Sequence, residues 1–142
     1  MRYDINLIFQ LCLEAGLSAR IEADQRLDLD LGDGAVLCFQ NAESEDDCLI
    51  GFNGTPWHTH GDLMFTDARG SYLELGYLDL VVSLKEGRVL VCERKVDARI
   101  VDRWLVHGEY NDEFKYLQEG EQIVVRRATN CPASKTEDLI AG

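Results

Sequence analysis

The chain lacks the features by which most enzymes and secreted domains declare themselves. It has no CxxC pair, so neither a zinc knuckle nor a thioredoxin-type redox site is supported. Its five cysteines, Cys12, Cys38, Cys48, Cys92 and Cys131, are odd in number, widely spaced and mostly set in apolar runs. That usage excludes a disulfide framework and fits buried thiols in a reducing compartment. No run of about 18 uncharged apolar residues occurs, as a membrane-spanning helix would need. The N-terminal stretch MRYDINLIFQLCLEAG is interrupted by Asp4, Asn6, Gln10 and Glu14, so it is expected to remain part of the fold and not to act as a secretion signal. The expected address is the cytoplasm. HExxH, HxE with PCxxC, GxSxG and a glycine-rich phosphate loop are also missing, so no catalytic residue and no cofactor are expected.

Basic residues are scarce too. Lys and Arg number 14 against 26 Asp and Glu, for a net charge of −12 and a pI near 4.5. The imbalance is concentrated: residues 1–71 hold 13 acids and 4 bases (net −9), whereas residues 72–142 hold 13 acids and 10 bases (net −3). Such a field repels nucleic acid and anionic membranes, and it attracts and steers a cationic partner.

What is present fits one ordinary domain. A length of 142 residues lies near the commonest domain size, and residues 1–130 are expected to form a single unit with residues 131–142 as a flexible tail. Ile5, Ile8, Phe9 and Cys12 recur at helical spacing between Asp4 and Gly16, which predicts an amphipathic helix. RLDLDL places Leu27, Leu29 and Leu31 on one side and Arg26, Asp28 and Asp30 on the other, the pattern of a one-sided strand. Gly32-Asp33-Gly34 then suits a hairpin turn into AVLCFQ, and CLIGF follows the acidic turn 42–47 as a further strand. From Tyr72 the period lengthens, with Leu73, Tyr77, Leu80, Val81 and Leu84 predicting a second helix that ends at Lys85 and Gly87. RVLVCERKV, RIVDRWLVH and EQIVVRRA are rich in β-formers. The expected fold class is α+β, two helices packed on a mainly antiparallel sheet of about six to seven strands, because short connections cannot make parallel crossovers.

The stretch TPWHTHGD, residues 55–62, is the densest group of chemically capable side chains. If residues 57–62 are extended, His58, His60 and Asp62 fall on one side, and two imidazoles with a carboxylate are a known set for zinc or non-haem iron. A metal-dependent enzyme using those three residues is therefore the alternative reading. HxH is short and common, however, and Pro56 makes the start of the block a turn. The preferred expectation is a protein without stoichiometric zinc or iron, in which His58 and His60 serve structure or binding. DRWLVHGEY and EFKYL read as core rings, and Arg126-Arg127 as a basic pair that meets nearby acids.

Small size, strong acidity, a helix-plus-sheet plan and no catalytic motif together resemble the immunity proteins of bacterial toxin systems. The resemblance is one of type and carries no residue over. It implies a small acidic cytosolic binding protein whose partner is a cationic protein such as a toxin domain, with no nucleic acid and no membrane partner. The composition is also compatible with a homodimer. In this reading Glu43, Glu45, Asp46 and Asp47 form a steering rim, Phe52 and Trp57 supply anchors, and His58 and His60 complete the face.

Overall fold

A computed structural model describes residues 2–43, 47–111 and 119–128, together with the backbone of residues 136–137. Helix α1 (Ile5–Ala15) has Asp4 as its N-cap, whose carboxylate accepts the Leu7 N–H at 3.0 Å, and it ends at Gly16 in the left-handed region, φ 73°. Ile5, Ile8 and Cys12 are buried, so the apolar stripe faces inward as the spacing requires. A five-stranded antiparallel meander follows, in spatial order β1 (Ser18–Ala23), β2 (Arg26–Asp30), β3 (Val36–Asn41), β4 (Cys48–Phe52) and β5 (His58–His60). Leu27, Leu29 and Leu31 are all fully buried. Asp28 lies on the opposite side, as the alternation predicted, but it is only partly exposed because Arg26 Nε donates to it at 2.9 Å.

Next comes a ribbon of β6 (Leu63–Thr66) and β7 (Tyr72–Leu75), then α2 (Tyr77–Glu86). The second sheet has spatial order β11-β10-β8-β9, built from β8 (Val89–Val96), β9 (Arg99–His107), β10 (Glu121–Arg127) and β11 (Thr136–Glu137). The class is therefore α+β and the pairing antiparallel. The expectation of one sheet of six to seven strands is corrected: the strands divide among three separate sheets. One main core joins them, running from α1 and α2 through the inner face of the first sheet to Phe65, Val89, Val91 and Leu105.

Two further differences have local causes. The second helix starts at Tyr77 and not at Tyr72, because residues 72–75 alternate with period two and pair with β6 across the turn 67–70. That turn is held by Asp67, whose carboxylate accepts the N–H groups of Arg69 (2.9 Å) and Ser71 (3.0 Å). Strand β1 was not expected at all, since almost every side chain along it is exposed and no apolar alternation marks it. The backbone of Thr136–Glu137 pairs with β10, and the remainder of the tail expected at 131–142 lies outside the described residues. EFKYL, residues 113–117, lies outside them as well.

Beyond the shared core, the first and second sheets are tied by polar contacts at the β2–β3 turn. The β2–β3 turn carries three successive positive φ values, 90° at Gly32, 51° at Asp33 and 80° at Gly34, and glycine at both flanks removes the Cβ penalty there. Arg126, on β10 and 1 % exposed, donates from Nη1 to Leu31 O and from Nη2 to Gly32 O, each at 2.6 Å. Buried Glu93 lies 3.5 Å from Arg126 Nε and 2.8 Å from Arg103 Nε. The register explains the meeting, for Glu93 stands directly opposite Arg103 on β9 and Val124 on β10, two residues from Arg126 on the same face.

Candidate functional site

The block 55–62 forms the end of the first sheet and one wall of a cleft. Strand β5 is short because the chain must turn at Pro56 and again at Gly61, which has φ 76°. Gly51 on β4 permits its close approach: a Cβ there would lie 3.0 Å from both His58 Cβ and Trp57 O, tighter than ordinary packing. Phe52 is buried in the main core with its ring centre 6.0 Å from that of Trp57. Phe52 thus backs the Trp57 ring from the core side and borders the hollow beside it. Trp57 is half-buried and packs against the main core and against a second buried cluster of Cys92, Trp104, Val106, Ile123 and Val125.

A cleft of about 400 Å³ opens between β5, β6 and the outer face of the second sheet, lined among others by Trp57, His58, Arg94, Asp102, Trp104 and Tyr110. Both tryptophans of the chain therefore line one cavity. The Arg94 guanidinium lies 5.3 Å from the centre of the Trp104 ring, a cation–π arrangement. On the other side of the Trp57–His58 segment, a shallower hollow of about 280 Å³ runs over Gly51 and is bordered by Arg26, Cys38, Gln40 and Leu49. Trp57 and His58 line both hollows and so form the ridge between them.

The three histidines are held differently. His58 Nδ1 lies 3.0 Å from Pro56 O, and His60 Nδ1 lies 2.9 Å from the Asp47 carboxylate. Both partners are acceptors, so each Nδ1 carries the hydrogen and each neutral ring keeps its lone pair on Nε2. His107 is the reverse: its Nδ1 accepts the N–H groups of Glu109 (3.0 Å) and Tyr110 (3.3 Å). Burial holds the His107 ring below the usual imidazole range. His107 is a structural cap at the end of β9.

Asp62 does not join the histidines. It lies beyond the end of β5, where its carboxylate accepts the Tyr77 N–H at 3.1 Å and secures the first turn of α2. The carboxylate beside His60 is Asp47 instead. Among the described residues, no three His, Cys, Asp or Glu side chains gather as a metal cluster. Glu43 and Asp47 are exposed at the ends of the β3–β4 turn, which the Ala42 N–H closes by donating to Asp47 O at 2.9 Å. Glu45 and Asp46 lie outside the described residues. Burial pushes the Cys12 and Cys38 thiols up to about 11, so both are protonated at neutral pH and poor nucleophiles.

Sequence reasoning missed Arg94 and the cleft itself. The signal for one wall of the cleft was alternation along RIVDRWLVH, which puts Asp102, Trp104 and Val106 on one side. No protein-family model matches this sequence, and neither a curated protein nor a solved structure matches it.

Proposed function

We propose that this chain is an acidic protein of the immunity type that binds a cationic protein, such as a toxin domain, and occludes it without catalysis. The observation that carries the reading is the ridge of Trp57 and His58 standing between two hollows, with exposed Glu43 and Asp47 in the adjoining turn. Acidic groups at a rim speed encounter with a cationic surface, while a large ring seated against the core supplies the contact that slows release. The net charge of −12 adds a long-range attraction to the same partner. Protonated thiols at Cys12 and Cys38, and histidines whose Nδ1 atoms are occupied by acceptors, suit a binding face better than a nucleophilic site.

The test is capture on the immobilised protein at low salt, followed by hydrogen–deuterium exchange on the complex. Protection centred on residues 47–60 is expected. A partner that is not cationic, or protection confined to β1 or β7, would count against the proposal.

A further inference from the structure

His58 and His60 sit on one side of an edge strand, two residues apart, with exposed rings. Their spacing along β5 would leave Cα atoms about 6.6 Å apart, yet the ring centres are 5.2 Å apart. The rings therefore lean towards each other. Imidazoles bound through Nε2 to one tetrahedral ion, at about 2.0–2.1 Å, have centres about 3 Å from the ion and hence about 5 Å from each other. The observed centre-to-centre spacing equals that separation, with the two ring planes 80° apart.

The donor atoms are also prepared. Carbonyl and carboxylate partners on Nδ1 fix both rings in the tautomer whose Nε2 offers a lone pair outward. Asp47 on His60 reproduces the carboxylate–histidine arrangement that orients metal-bound imidazoles and raises their basicity. We infer that His58 and His60 form an exchangeable two-imidazole site for a borderline divalent cation of the zinc and nickel group, with Asp47 as the outer carboxylate and water in the remaining positions. Imidazole suits these ions, whereas calcium and magnesium require oxygen donors. Two protein ligands leave the site open, so the ion exchanges freely and does not copurify in stoichiometric amount. Asp62, engaged with α2, takes no part. His107 takes none either, since its ring is buried and its tautomer is the opposite one. The inference is independent of partner binding.

The experiment is a Zn²⁺ titration of protein carrying no polyhistidine tag, followed by calorimetry and by long-range ¹H–¹⁵N NMR of the imidazole rings. Before zinc is added, the His58 and His60 rings should show the Nδ1–H tautomer and His107 the Nε2–H tautomer. One zinc per chain should then shift the Nε2 signals of His58 and His60 together and leave His107 unmoved. His58→Gln or His60→Gln should abolish that event, and Asp47→Asn should weaken it about tenfold or more. The rings are on the surface, so these variants should keep the wild-type circular dichroism. Zinc uptake without movement of the two Nε2 signals, uptake unchanged in the double glutamine variant, or no uptake at all would overturn the site. Because the wild-type ring spectra report it directly, a variant that failed to fold would not rescue the inference.

Discussion

At the turn after β2, Asp33 and the carbonyls of Leu31 and Gly32 meet an arginine that water cannot reach; at the turn after β3, Asp47 meets His60 with both side chains about half exposed. Both are turns of the same sheet and both carry acidic side chains. The first is structural, since Arg126 and Glu93 are buried together and every hydrogen bond they make replaces one lost from water. The second contributes little to folding, because an exposed pair in high dielectric is worth about 0–1 kcal/mol. Charge at the β2–β3 turn holds the fold, whereas the Asp47–His60 pair beyond β3 stays at the surface.

The contrast is broken most severely by Arg126→Ala. It would leave Glu93 buried with Arg103 as its remaining cation, remove the guanidinium donor from Leu31 O and leave Gly32 O with the Ala35 N–H alone, a loss of about 3–5 kcal/mol in urea unfolding. Arg103→Ala should cost less, about 1–3 kcal/mol, since Arg103 is nearer the surface and Glu93 would keep Arg126. Equal losses from the two would show that the carbonyl contacts of Arg126 add nothing.

How much of this was legible in the sequence follows from the same physics. The one-sided strand at Leu27, Leu29 and Leu31 and the caps at Asp4 and Gly16 are local patterns, and the structure keeps them. The division into three sheets depends on which strands pair, which alternation cannot specify. The helix start was misplaced because Leu73 satisfies both periods, and only pairing with Phe65 decides between them. Glu93 meets Arg103 and Arg126 through cross-strand register, so the ion network was invisible in a sequence where those residues are widely separated. His58 and His60 were found by alternation, while Asp62 was assigned to them in error of place, because the chain turns at Gly61 before reaching it.

A smaller effect tests the buried histidine against the exposed pair. The folded state keeps His107 neutral because burial lowers its affinity for a proton, whereas the unfolded chain takes one up below about pH 6.5. Stability from this ring is therefore complete above about pH 6.5 and declines as pH falls from there towards the lower folded value. His107→Asn retains an acceptor for the Glu109 N–H and should flatten that part of the stability–pH curve. An unaltered slope would assign the pH dependence to other groups.

The smallest effect belongs to the exposed corner. Asp47→Asn should change unfolding free energy by no more than about 0.5 kcal/mol, as surface substitutions usually do. A loss comparable to that of Arg103→Ala would mean that the corner is part of the folding framework and not a face reserved for a ligand.

The central claim, that this acidic corner steers a cationic protein onto the Trp57 ridge, is tested most directly by stopped-flow association with the captured partner across a salt series. Wild-type protein should associate fast at low salt and slow steeply as salt rises, and the combined change of Glu43, Glu45, Asp46 and Asp47 to lysine should slow association and flatten that dependence. Trp57→Ala should act mainly by speeding dissociation. An unchanged low-salt association rate in the fourfold lysine variant would contradict the claim.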